Sequence, residues 1–257
     1  FAMKLHEHDK YNGSLRASKS WFFFGNRIVC MGSDIENKAG GGLHTTLFQN
    51  FLENVSDTLV VNGEAVTQFP YRAELAGGAV LRDNLHNVWF VPEGKVCVTK
   101  RLQRSLDEET DAPTQNDFAT AWIDHGSGVV SGGGYEYMLV VHASDGEAAR
   151  YARELPYEVL RRDASAHILR DRLSGAVGYA LFAPGKVGEG LLESVSLPSL
   201  VMIGGDGEGL TVSAADPDLR FYEGPGDEVF DADGKRVERS VYSRKWIDNP
   251  SGASQLE

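Results

Sequence analysis

The chain has little of what a helical, disulfide-held or membrane-spanning protein needs. Two cysteines in 257 residues exclude a disulfide framework. Cys30 and Cys97 both lie in apolar runs, Ile28-Val29-Cys30-Met31 and Val96-Cys97-Val98, and read as buried thiols; a bridge would need adjacent strands in a suitable register. No apolar stretch reaches the roughly 18 to 20 residues of a spanning helix, and no signal segment opens the chain. The abrupt start at Phe1-Ala2-Met3 and the end at Leu256-Glu257 read as a cut piece of a longer protein, so that absence leaves location open. Positive charge is scarce: 25 Lys and Arg stand against 37 Asp and Glu, a net charge of -12. This argues against nucleic acid and anionic membranes as partners, and against tight autonomous binding of a sulfated polysaccharide. One local exception is the group Lys95, Lys100, Arg101 and Arg104, with only Glu93 nearby.

Strand signals dominate, with 29 glycines supplying turns. The most informative run is Lys19-Ser20-Trp21-Phe22-Phe23-Phe24-Gly25-Asn26-Arg27-Ile28-Val29-Cys30-Met31-Gly32-Ser33-Asp34-Ile35. Two apolar, aromatic and β-branched segments flank Gly25-Asn26, a pair able to take the positive φ of a tight hairpin. Residues 21–24 show no polar alternation, so this strand is expected to be buried on both faces, within a stack of sheets. Further strands are expected at 45–47, 58–61, 87–91, 96–101, 118–123 and 135–142. A second series follows at 157–161, 166–170, 177–182, 199–203, 210–214, 219–222, 229–230 and 236–242. Asn62-Gly63, Pro92-Glu93-Gly94 and Asp231-Ala232-Asp233-Gly234 carry hairpin-turn chemistry. Gly40-Gly41-Gly42 and Ser131-Gly132-Gly133-Gly134 read as loops, and the acidic, proline-interrupted stretch 106–117 as an exposed loop. A single helix is expected, capped by Ser144 or Asp145, with Glu147 in its first turn and Pro156 as its stop. The expected class is therefore all-β, antiparallel, with one short helix between two strand-rich domains, 1–145 and 146–257.

The opening run resembles the β-sandwich part of polysaccharide lyase family 8, the chondroitin and hyaluronate lyases, in which a KSWFFF strand leads into a VCxGSxI strand. Similar pieces follow in order: Thr45-Thr46-Leu47-Phe48-Gln49, Trp122-Ile123-Asp124-His125-Gly126 and Tyr135-Glu136-Tyr137-Met138. Tyr157-Glu158-Val159-Leu160-Arg161-Arg162-Asp163, His167-Ile168-Leu169, Leu173-Ser174, Gly178-Tyr179-Ala180, Leu210-Thr211-Val212-Ser213-Ala214 and Asp216-Pro217-Asp218-Leu219 look like the C-terminal region of chondroitin ABC lyases. Order and approximate spacing are kept over roughly residues 15–222.

The resemblance implies a secreted or periplasmic bacterial enzyme: a helical toroid carrying the chemistry, a large antiparallel sandwich, and a smaller C-terminal sandwich. This chain would be the later part of the large sandwich plus the small one. It implies cleavage of an acidic polysaccharide by β-elimination, a tyrosine taking the proton at C5 of the uronic acid while histidine or asparagine, arginine and glutamate stabilise the charge. No segment here matches the motifs of those residues, so none is carried over. The chain is expected to be inactive alone, to need no cofactor, and to partner the upstream toroid. The alternative is an autonomous carbohydrate-binding module, which requires an aromatic platform or a basic groove.

Lys100, Arg101 and Arg104 are the candidate contacts for sulfate or carboxylate groups, weighed against a charged strand edge. His6, His8 and Asp9 share a terminus and read as a solvated end rather than a metal site. Asp124-His125 near Tyr135 and Tyr137 suggests acid–base chemistry, but Asp-His-Gly closing a strand is also a turn bonded to its own backbone. Gly204-Gly205-Asp206-Gly207-Glu208-Gly209 lacks the lysine and helix of a phosphate loop. Asp231-Ala232-Asp233-Gly234 lacks the late glutamate of a calcium loop. Trp21 and Phe22 to Phe24 read as core, as do Trp89 and Trp122; Trp246 reads as exposed.

Overall fold

A computed structural model of the chain describes residues 1–7, 13–205, 208–217, 229–230, 232–233 and 236–237. In chain order its strands are β1 (Ala2–His6), β2 (Arg16–Phe24), β3 (Arg27–Asn37), β4 (Gly42–Phe51), β5 (Leu59–Val61), β6 (Glu64–Val66) and β7 (Tyr71–Leu75). Then come β8 (Ala79–Arg82), β9 (Val88–Val91), β10 (Lys95–Leu106), β11 (Pro113–Ser127), β12 (Val130–Val140) and the helix α1 (Asp145–Arg153). After it follow β13 (Tyr157–Arg162), β14 (Ala166–Asp171), β15 (Val177–Leu181), β16 (Gly185–Lys186), β17 (Ser194–Val195), β18 (Ser199–Gly205), β19 (Leu210–Ala215), β20 (Val229–Phe230) and β21 (Arg236–Val237). The expected strand 219–222, most of 236–242, both ends of the Asp231–Gly234 turn, and His8, Asp9, Asp206 and Trp246 lie outside the described residues.

The all-β expectation holds. An eight-stranded antiparallel sheet has the order β1-β2-β3-β12-β9-β8-β5-β6, a four-stranded one β4-β11-β10-β7, and a five-stranded one β13-β14-β15-β18-β19. Leu59, Leu81, Trp89 and Val91 of the eight-stranded sheet pack on Val96, Val98, Ala121 and Ile123 of the four-stranded one. The opposite face of the eight-stranded sheet carries Phe22, Phe24, Val29, Met31, Val88, Phe90, Met138 and Val140, which pack on Leu169 and Ala180 of the five-stranded sheet, on Phe182 just after β15 and on Tyr151 of α1. A third core puts Ile168, Tyr179 and Leu181 against Val187, Leu192 and Val195 around the β16–β17 pair.

The middle layer is thus buried on both sides, which is why residues 21–24 lack polar alternation: Trp21 packs into the first core, Phe22 and Phe24 into the second. Phe23 departs from the expectation at 55% exposed. It shares a face with Trp21, on the side where four strands face eight and leave part of the sheet uncovered.

Local turn chemistry does much of the shaping. Gly25, with φ 62°, turns β2 into β3, and Asn62 and Gly63, with φ 49° and 88°, turn β5 into β6. The Ser144 hydroxyl accepts from the Glu147 N–H at 3.2 Å while the Glu147 carboxylate accepts from the Ser144 N–H at 3.0 Å, a reciprocal cap that starts α1.

Three loop and turn expectations are corrected. Pro92-Glu93-Gly94 does not close a hairpin: β9 belongs to the eight-stranded sheet and β10 to the four-stranded one, so the bend carries the chain between layers. The stretch 106–117 is mostly hairpin: Leu106 pairs with Pro113, and Asp107 closes the turn by accepting from the N–H groups of Glu109 and Thr110. Proline at the first position of a strand lacks only a donor that the ladder does not yet need. Finally, Gly132 to Gly134 lie within β12, where the register against β3 shifts on both sides of Gly133. A Cβ on Gly134 would stand 3.0 Å from the Gly32 carbonyl oxygen, so the run lets two backbones approach in a bulge.

Polar groups cross the seam between the middle and five-stranded sheets. His167 is fully buried, with Ser20 Oγ 2.7 Å from Nδ1 and Ser33 Oγ 2.8 Å from Nε2, and its ring stands edge-on to Phe182. Both terminal guanidinium nitrogens of Arg27 donate to the fully buried Asp171 carboxylate. The Tyr157 hydroxyl donates to Glu136 at 2.8 Å, and Arg162 bridges Glu136 and Glu93.

Candidate functional site

The four cations that cluster in sequence near residue 100 are scattered by the strand that carries them. Alternate residues of β10 face opposite ways. Lys100 therefore shares the inward face with Val96 and Val98, and it is fully buried. Its ammonium donates to the carbonyls of Asp57 at 2.8 Å and Thr67 at 3.3 Å. Burial lowers its pKa, while Asp57 pulls it back up. As a surface contact for a sugar, Lys100 is corrected: it ties the 57–67 segment to the sandwich interior. Arg101 and Arg104 are exposed, beyond the end of the β7 pairing on the outer half of the β10–β11 hairpin. Three positions apart, they face opposite sides of it. Lys95 is engaged by Glu74 at 2.9 Å and Asp124 at 3.1 Å. No joint basic patch forms.

His125, Tyr135 and Tyr137 do come together, at one end of the first core, whereas the side chain of Asp124 is engaged by Lys95 and Gly126. Asp124 Oδ1 accepts from the Gly126 N–H at 2.9 Å, the turn contact expected for Asp-His-Gly. That bond, with the ammonium of Lys95, holds the carboxyl below its usual range against the opposing effect of burial. His125 Nε2 lies 2.8 Å from Thr45 Oγ1, and burial lowers its pKa, favouring the neutral ring. Its ring is 6.0 Å from that of Tyr135, which stacks on Tyr137 at 5.9 Å. Tyr135 and Tyr137 are 4% and 8% exposed, and burial raises both phenols. Tyr135 lies flat over Gly32, where a Cβ would meet its ring at 2.1 Å, and Lys19 Nζ sits 5.9 Å from the ring centre. Chemically the group holds a neutral histidine on a hydroxyl and two phenols raised away from ionisation, and it offers no activated base.

Cys30 and Cys97 are both buried and unbridged. Trp89 is core, its indole N–H donating to Asp83 at 3.0 Å; Trp122 is half-buried, its indole nitrogen without a hydrogen-bond partner. His6 is not on a loose end: it closes β1 opposite Arg16. Among the described residues no group of three His, Cys, Asp or Glu side chains is placed to hold a metal ion. Nor is any helix among them long and apolar enough to cross a membrane. Sequence reasoning missed one grouping of exposed basic side chains, Lys4, His6 and Arg16 on β1 and β2. Its signal was the alternation Lys4-Leu5-His6, which puts both basic groups on one face of a strand.

These antiparallel layers define the chain as a stacked β-sandwich. Residues 1–152 match the model of polysaccharide lyase family 8, super-sandwich domain, and the chain belongs to that family. It is 38% identical over 98% of its length to a chondroitin sulfate ABC exolyase of Bacteroides thetaiotaomicron, and 36% identical over 96% to one of Proteus vulgaris. It spans 24% and 25% of those relatives, about a quarter of their length. The fold is also that of a Paenibacillus xanthan lyase structure, with a TM-score of 0.73 at 23% identity over 84% of this chain and 22% of that one.

Proposed function

We propose that this chain is the non-catalytic β-sandwich region of a secreted or periplasmic bacterial lyase that cleaves an acidic polysaccharide of the chondroitin or hyaluronan type by β-elimination. Its task is to support a helical catalytic domain and to wall the substrate cleft. The observation that carries this reading is the state of the His125–Tyr135–Tyr137 group: its phenols are buried and raised, and its histidine is held on Thr45. Proton abstraction from a weak carbon acid needs a base that reaches substrate, together with charge stabilisation. In this reading the domain boundary falls near residue 145, at the Ser144 cap, since every strand of the eight- and four-stranded sheets precedes α1 and every strand of the five-stranded sheet follows it. Arg101 and Arg104 are the cations that a polyanion lying along the β10–β11 arm would meet.

The test is absorbance of the unsaturated uronate product during incubation of the purified chain with chondroitin sulfate or hyaluronan, beside an intact family 8 lyase. A flat trace from the chain and a rising one from the control are expected. A rise that survives repurification and is abolished by His125→Ala would overturn the assignment.

A further inference from the structure

A pocket of about 320 Å³ opens where β1 and β2 meet the turn between β13 and β14; Lys4, His6, Arg16, Ser18, Asp34 and Ala164 line it. In register, Lys4 stands opposite Ser18 and His6 opposite Arg16. Opposed residues share a face of the sheet, so these four side chains form a rectangle about 5 Å across the strands and about 7 Å along them. Lys4, His6 and Arg16 are exposed. Asp34 is brought in from β3 at a register shift lying between Arg16 and Ser18, where its own backbone turns left-handed with φ 52°. Such bulges re-aim a side chain. Ala164, in the turn between β13 and β14, adds one wall from the layer beyond.

We infer that this pocket is a binding site for one acidic sugar unit, a uronate or a sulfated ring of the polysaccharide chain. The choice of an acidic sugar, rather than another anion, rests on the function proposed above. Lys4 and Arg16 supply two cations on a surface otherwise dominated by acids, and the arginine fork suits a carboxylate or sulfate oxygen pair. Asp34 accepts from ring hydroxyls, the contact that a bare inorganic anion would lack. Glu36, paired in register with Arg16, is the competing carboxylate, whereas Glu7 is occupied by the N–H groups of Ser14 and Leu15. The volume lies at the low end for ligand sites, enough for a single unit rather than an oligosaccharide.

The experiment is calorimetric titration of the whole chain with a chondroitin sulfate tetrasaccharide at low and at physiological salt. Binding that weakens with salt, falls at least tenfold in the double variant Lys4→Ala/Arg16→Ala, and changes less than twofold in Arg153→Ala/Lys186→Ala, two exposed cations with no place in either proposed contact surface, is expected. All four positions are exposed, and circular dichroism checks that each variant folds. No binding by the unmodified chain at millimolar sugar, or equal binding by the Lys4→Ala/Arg16→Ala variant, would overturn the site. Either result leaves the lyase reading standing, because that one is tested by the elimination product.

Discussion

His167 should make the protein acid-labile in a pH range where most carboxylates are still ionised. Its ring is fully buried between Ser20 and Ser33, and burial, with the nearby Arg162 guanidinium, depresses its pKa from 6.5 to about 4 against the opposing pull of Asp163. The native state therefore holds the neutral ring, while the unfolded chain protonates it below 6.5. Stability is fully present above pH 6.5 and is lost as pH falls towards 4, because the unfolded state then binds the extra proton. The linkage relation gives a loss of about 2 kcal/mol between pH 7.5 and pH 5, and about 3 kcal/mol at pH 4. With a urea slope of about 3 kcal/mol per molar for a chain of this size, the midpoint should move by about 0.7 M between pH 7.5 and 5. His167→Gln keeps a donor and an acceptor near the serines but cannot titrate. It should be less stable at pH 7.5 and should lose that part of the slope. If the variant shows the same change in midpoint between pH 7.5 and 5 as the unmodified protein, or if the imidazole titrates near 6.5 by NMR in the folded state, the reasoning fails.

Three further outcomes follow from other contacts. Arg27→Met leaves the Asp171 carboxylate buried without its cation and should cost about 3 to 5 kcal/mol in chemical unfolding, while Arg27→Met with Asp171→Leu should recover part of it; equal losses in the single and double variants would contradict this. Gly32→Ala drives a methyl group into the Tyr135 ring and should destabilise by about 1 to 3 kcal/mol, with a change in the near-ultraviolet circular dichroism of the stacked tyrosines. Cys30, whose thiol burial pushes up to about 12, should resist alkylation at pH 8 until the protein is unfolded; rapid modification of the native chain would refute its burial.

How far the sequence could be read depended on whether the deciding interaction was local. Gly25-Asn26, Asn62-Gly63 and the Ser144–Glu147 cap act within four residues, and they do what their chemistry prescribes. Pro92-Glu93-Gly94 carries an equally good turn signal, yet whether β10 folds back on β9 or crosses to another layer is decided by packing that no four-residue window contains. At residue 100 the error was one of parity. Strand 96–101 was visible, and counting by twos from Val96 and Val98 would have put Lys100 inside and Arg101 outside. Phe23 shows the reverse case: its run was correctly read as doubly buried, but that one position lies where the facing sheet is too narrow. The seam contacts join residues 144 and 147 positions apart, and nothing near either partner announces the other.

Those seam contacts bear on what a boundary at residue 145 means. Eight large apolar side chains of the middle sheet, Phe22, Phe24, Val29, Met31, Val88, Phe90, Met138 and Val140, are buried against the later segment. At about 1.5 to 3 kcal/mol each they represent roughly 12 to 24 kcal/mol of burial, against about 5 to 15 kcal/mol of net stability for a typical domain. A chain ending at residue 144 would present that surface to water while leaving Arg27 without Asp171 and both Ser20 and Ser33 without His167. It should bind a hydrophobic dye and scatter light as an aggregate at micromolar concentration, whereas the full chain should do so far less. A monomeric, dye-negative 1–144 fragment would mean that the five-stranded sheet is an independent appendage. The expected aggregation would mean that the boundary divides the sequence but not the folding unit, and that a supporting role for this region belongs to its three layers together.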